Sequence, residues 1–157
     1  MRMSAGVEWA VHCCVVLSQA DGPVPAPRLA ELHGISRTYL AKHLQQLSRA
    51  GLVRSTEGRV GGYLLTRPAD EVTVLDIVLA IEGDEPAFRC TEIRQNGPLA
   101  AKPEDCRRAC SVARAMYAAE DAWRASLRGV TVADLVDAVN ADTGPKTFAA
   151  LRGWLGA

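Results

Sequence analysis

The segment SRTYLAKHLQQLSRA (36–50) runs without interruption into GLVRSTEGRVGGYLL (51–65), and that junction constrains the chain more than any other feature. Leu40, Leu44 and Leu47 recur at helical spacing, so 36–50 reads as an amphipathic helix with Ser36 as its N-cap. Gly51 is placed to close it in the left-handed conformation that helix ends favour. Leu52–Ser55 and Gly62–Thr66 then alternate as two short strands, and the glycines between them permit the turn. A helix followed by a short hairpin with an arginine at its tip has the order of a winged helix-turn-helix. The expected fold class is therefore mostly α with a small β-hairpin wing, joined to a long helix further on.

Upstream, Ser4 reads as the N-cap of a first helix reaching about Gln19, with Val7, Ala10, Val11, Cys14 and Leu17 as its core stripe. The prolines of DGPVPAP (21–27) end it. Arg28–His33 is a short second helix that stops at Gly34. Downstream, Thr73 caps the helix VLDIVLAIEG. From Gly83 to about Cys106 periodicity disappears, and loops of such length are commonly functional. Cys106–Leu127 reads as a long helix whose Val112, Met116, Ala119, Trp123 and Leu127 form a narrow apolar seam for the chain's own core or for a second copy. Thr131–Asn140 is a last short helix, and no element is assigned to Gly144–Ala157. The expected organisation is a DNA-binding domain (1–82), a cysteine-bearing loop (83–110), dimerisation and closing helices (106–140) and a tail (141–157).

Lysines and arginines number 18, as do aspartates and glutamates, so no global field draws the chain to a polyanion. Between Arg28 and Arg67, however, seven basic residues face only Glu31 and Glu57, a local excess of five. A basic module on an acidic remainder suits selective binding of double-stranded DNA. No apolar run reaches the ~20 residues that span a bilayer and no leader pattern opens the chain, so the expected location is cytoplasmic, with no membrane partner. Five cysteines in that compartment point to free, metal-bound or redox-active thiols.

A helix entering the major groove needs donors at its N-terminal end for base edges and cations on its flanks for phosphates. Ser36, Arg37, Thr38 and Tyr39 meet the first need, and Lys42 and His43 the second. Arg28 adds a cation at the second helix, and Arg59, at the hairpin tip, is placed to enter an adjacent minor groove.

Three blocks carry a resemblance: S-x-x-Y-L-x-x-x-L-x-x-L at Ser36–Leu47, G-L-V-x-S-x-x-G-x-x-G-G-Y-x-L at Gly51–Leu64, and D-I-V-L-A-I-E-G at Asp76–Gly83. They resemble the Rrf2 family of bacterial winged-helix regulators, which includes IscR and NsrR, and T-V-A-D-L at Thr131–Leu135 fits that family's closing helix. The resemblance implies a homodimer in which the long helices cross and the cysteine loop of one subunit approaches the first helix of the other. Two positions depart from it. Glu57 stands where the family commonly has an arginine before the first wing glycine. Cys90 and Cys110 match the family's first and last cysteines, but the middle one has no counterpart, and Ala113 stands where IscR has a ligating histidine.

A 2Fe–2S cluster takes four protein ligands, and histidine replaces thiolate in some centres. Glu8 and His12, at i and i+4, lie one turn apart on one helix face beside Trp9 and Val16, a face that looks covered. Some relatives already use an acidic residue of the first helix as a ligand, which favours Glu8. The expected set is Cys90 and Cys110 of one subunit with Glu8 and His12 of the other, and Cys106 as the rival to Cys110. Within the family this pattern is most similar to redox-sensing members of the RsrR type. Cys13 and Cys14 lie toward the core and read as small buried apolar groups. Reduction of such a cluster would change the charge beside Trp9, reorient its ring and shift the recognition helices.

The leading expectation is a dimeric repressor whose DNA binding follows the redox state of a 2Fe–2S cluster. The alternative is a cluster-free regulator switched by oxidation of Cys106 and Cys110, or by a protein partner. A metal-dependent hydrolase built on Glu8 and His12 is a third reading, and it leaves the hairpin block unexplained.

Overall fold

The protein is described here from a computed structural model, in which residues 3–58 and 61–156 are described. Seven helices and one hairpin occur among them: α1 (Ala5–Ser18), α2 (Ala26–His33), α3 (Arg37–Arg49), β1 (Val53–Thr56), β2 (Gly62–Leu65), α4 (Val74–Glu82), α5 (Ser111–Arg128), α6 (Val132–Thr143) and α7 (Lys146–Leu155). Packing divides them into two units, residues 84–126 and the remainder.

In the larger unit the apolar periodicities converge on one core. Leu40, Leu44 and Leu47 of α3, Leu29 of α2, Cys13 and Cys14 of α1, Ile77 of α4 and Val132 of α6 are all fully buried. Each such leucine or isoleucine contributes roughly 1.5–3 kcal/mol by leaving water. The helix ends follow the local chemistry. Thr73 and Asp76 form a reciprocal capping box at α4, and Thr131 and Asp134 form another at α6. Ser36 Oγ accepts from Tyr39 N at 3.1 Å, and Gly51 follows α3 at φ +71°. Ser4 differs from expectation: its side chain makes no cap, and its N–H and Oγ both donate to Glu82 Oε1 at 2.8 and 2.6 Å, tying the start of α1 to the last turn of α4.

The wing is a two-stranded antiparallel hairpin in the register Val53↔Leu65, Arg54↔Leu64, Ser55↔Tyr63 and Thr56↔Gly62. A bridge between Val24 and Tyr63 anchors it, with N–H···O distances of 2.8 and 2.9 Å. Gly62 is required there, because a Cβ would lie 2.4 Å from the carbonyl carbon of Val24.

One further expectation is corrected. Cys106 and Cys110 lie outside the long helix, which begins only at Ser111; a 3-10 turn over Pro103–Cys106 precedes it, and Cys110 stands at the helix start, its Sγ accepting from Ala113 N and its carbonyl from Arg114 N. The tail is ordered as α7, which buries Phe148 and packs Leu151 and Leu155 on the core.

Within residues 84–126, polar contacts predominate. Arg124 bonds Asp84 Oδ1 at 2.5 Å and Glu120 Oε1 at 2.8 Å, while Trp123 Nε1 donates to Glu120 Oε2 at 3.0 Å. Phe88 meets Tyr117 edge-on with centroids 5.9 Å apart. Of the seam expected on α5, Val112 and Met116 are 64% and 43% exposed, and Tyr117 beside them is 39% exposed.

Candidate nucleic-acid interface and sensor residues

The N-terminal end of α3 presents Arg37, Thr38, Tyr39 and Lys42 to solvent, as a groove-reading helix requires. Ser36 is exposed too, although its hydroxyl already serves the cap. His43 is a correction. It is only 5% exposed, its Nδ1 lies 3.0 Å from Gln46 Oε1, and Gln46 in turn donates to Ile81 O at 3.0 Å. The imidazole fills the space left by Gly6 of α1, where a Cβ would stand 2.4 Å from its Cε1. It also meets the ring of exposed Tyr39 edge-on at 4.7 Å, so it packs behind the helix surface instead of standing free for a phosphate. Arg28 is half-buried: its guanidinium lies 3.9 Å over the Trp154 ring, donates to Trp154 O, and faces Glu31 at 3.6 Å. In this conformation it is turned to α7 rather than presented as a free cation. Arg59 lies outside the described residues.

On α1, Glu8 and His12 are both exposed, one turn apart, and Trp9 is half-buried beside them. Val16 is only 6% exposed, so its place is in the chain's own core and not on a face awaiting cover. His33, which the sequence did not single out, completes this neighbourhood. Its ring is 5.8 Å from Trp9 and 6.0 Å from His12, and it is the last residue of α2, immediately before the Gly34 turn into α3. Burial and the neighbouring His12 hold its imidazole below the usual histidine range.

The cysteines separate into two kinds. Cys13 and Cys14 are fully buried, and burial pushes the Cys13 thiol up to about 12 and the Cys14 thiol higher still. Cys90, Cys106 and Cys110 are half-buried free thiols. Cys90 and Cys110 line the same groove of about 430 Å³, together with Phe88, Ile93, Arg94 and Val112; Cys106 is not part of its wall. Each of the two accepts a main-chain N–H at sulfur, Cys90 from Glu92 at 3.4 Å and Cys110 from Ala113 at 3.3 Å. Among the described residues no three His, Cys, Asp or Glu side chains of one chain gather as a metal site, and the expected ligand set is divided between two chains.

A family model described as Rrf2, iron-dependent transcriptional regulator, matches residues 3–138. The chain belongs to the Rrf2 family. It is thus a DNA-binding transcriptional regulator and not an enzyme, which removes the hydrolytic reading of Glu8 and His12. Protein aau3 of Rhizobium meliloti is 38% identical over 140 residues, covering 88% of this chain and 86% of that protein. The regulator IscR of Photorhabdus laumondii is 37% identical over 92 residues, a match spanning 57% of this chain and 56% of IscR. Among solved structures, CymR of B. subtilis, the global cysteine regulator, superposes with a TM-score of 0.67 at 24% identity, over 87% of this chain and 97% of CymR. T. potens IscR superposes with a TM-score of 0.68 at 24% identity, over 91% of each chain. These likenesses support the winged helix-turn-helix with its two-stranded wing.

Proposed function

We propose that this Rrf2 regulator acts as a homodimeric, cytoplasmic repressor whose hold on its operator follows the redox state of a 2Fe–2S cluster. Cys90 and Cys110 of one subunit and Glu8 and His12 of the other would be its ligands, a pattern like that of RsrR-type members. The observation that carries the reading is the shared groove of Cys90 and Cys110, whose sulfurs both already accept main-chain N–H groups. Exposed Glu8 and His12 supply an oxygen and a nitrogen donor on one helix face, and exposed Val112, Met116 and Tyr117 supply an apolar strip for a second copy.

When bound, the cluster would supply one-electron chemistry at a potential raised by its non-thiolate ligands. The chain supplies the relay. Trp9 and His12 adjoin His33 at the end of α2, so a change in their environment reaches the turn that sets the angle of α3. The test is anaerobic purification with iron and sulfide assays, visible and EPR spectra before and after dithionite, and operator binding in both states. Two irons per chain, reversible bleaching and a change in DNA affinity are expected. A colourless, iron-free preparation that binds DNA unchanged contradicts the reading.

A second reading is favoured by Cys106, a free, half-buried thiol four residues before Cys110. Their oxidation to a disulfide would pass two electrons and two protons to an oxidant such as a peroxide. A structure of Staphylococcus aureus CymR in an oxidised form is 25% identical to this chain with a TM-score of 0.64. Peroxide-dependent loss of DNA binding in iron-free protein, abolished by Cys106→Ser, would favour this reading.

A further inference from the structure

We infer that Arg94 is the positioning residue of the cysteine loop: it clamps the chain beside Cys90 to the chain beside Cys110 and fixes a positive charge at the groove their thiols share. Its Nε donates to Glu92 Oε1 at 2.5 Å and its Nη2 to Glu92 Oε2 at 2.8 Å, a fork on a carboxylate. Nη2 also donates to Arg108 O at 2.8 Å, and Arg94 O accepts from Ala101 N at 2.7 Å. Glu92 in turn gives its N–H to Cys90 Sγ, and Arg108 stands two residues before Cys110. One guanidinium therefore connects both cysteine segments.

Two observations indicate that this clamp serves a site. Glu92 has φ +52°, and it is the one non-glycine residue among those described in the left-handed region. Such a conformation costs free energy and persists where surrounding contacts enforce it. Arg94 itself lines the groove with Cys90 and Cys110. The Glu92 carboxylate above all, and then the nearby Cys106 and Cys110, hold the guanidinium more firmly protonated than usual. Only arginine offers a planar fork with a further donor to spare, so lysine keeps the charge and loses the clamp. The ion pair is partly exposed, 30% for each side chain, and exposed pairs add little to stability. Arg94 should therefore matter to the thiols and not to the fold.

The effect on a bound cluster rests on the proposed function above, whereas the clamp belongs to the chain alone, and the test separates them. Arg94→Leu and Arg94→Lys are compared with the parent in full-length protein. In metal-free, reduced chains carrying Cys106→Ser, dibromobimane cross-linking of Cys90 to Cys110 is expected to slow about tenfold in both variants, as misplaced supporting groups do at ligand pairs. In iron-loaded protein, chelator-driven release is expected to rise roughly 10–100-fold in Arg94→Leu. The midpoint potential should fall in Arg94→Leu, which loses a cation, and stay near the parent value in Arg94→Lys. Thermal midpoints should be unchanged. Unaltered cross-linking in Arg94→Leu overturns the clamp, and an unaltered potential overturns its charge role. If the parent carries no iron, the cluster reading fails while the cross-linking still decides the clamp.

Discussion

In the winged-helix unit Leu29, Leu40, Leu44, Leu47, Ile77 and Val132 are fully buried, whereas residues 84–126 bury one apolar side chain, Ala113, among those described. The first unit is held by apolar area and closed by caps. In the second, polar contacts such as those of Arg124 and Arg94 stand where the first has apolar burial, and Ile93, Leu99 and Val112 are 72%, 95% and 64% exposed. A region built that way has few apolar contacts that resist local opening. The contrast also separates two kinds of cysteine, buried ones that pack and half-buried ones left within reach of solvent.

The largest effect expected is on the core. Leu44→Ala should cost about 2–5 kcal/mol by transfer and cavity terms, measured by urea unfolding. Val112→Ala, in the exposed strip, should leave monomer stability nearly unchanged and weaken self-association in sedimentation experiments. Equal destabilisation by both would erase the distinction. Next, Gly62→Ala should cost about 1–3 kcal/mol as its Cβ displaces Val24, and hydrogen exchange should quicken first at Tyr63.

Thr131→Ala removes one side of the α6 capping box and should cost about 1 kcal/mol. Thr131's N–H and hydroxyl hold the Asp134 carboxyl below its ordinary 3.8. A depressed folded value means a contribution present above the unfolded value and lost as pH falls through the folded one. The parent should therefore lose stability below about pH 4 more steeply than Thr131→Ala does, as thermal melts across acid pH would show. The smallest effect is chemical. Alkylation of native iron-free protein should modify Cys90, Cys106 and Cys110 rapidly and spare Cys13 and Cys14, as counted by mass spectrometry. Rapid labelling at all five would contradict the two-class description.

Where apolar spacing is satisfied within the chain, the sequence was sufficient. The helix over 37–49, the hairpin and the caps Ser36 and Thr73 follow from short-range pattern. What escaped depends on partners far away. Phe148, Leu151 and Leu155 form a short stripe interrupted by Gly153, and the residue that stacks on Trp154 is Arg28, distant in sequence. His43 falls between Leu40 and Leu47 on the buried stripe, but its polarity suggested solvent; the space that admits it is made by Gly6 on another helix. Glu8 and His12 were legible as an i, i+4 pair, whereas His33 and Arg94 act through ring packing and main-chain acceptors that leave no signature.

The central claim, that the sensor is completed by residues of two chains, is tested most directly with heterodimers. A subunit carrying Glu8→Ala and His12→Ala, co-expressed and differently tagged from one carrying Cys90→Ala and Cys110→Ala, leaves all four ligands intact at one of the two sites. The account predicts iron-free homodimers of each variant and a heterodimer with about half the iron of the parent dimer and its EPR signal on reduction. An iron-free heterodimer from an iron-loaded parent, or a cluster retained by either variant homodimer, would contradict it.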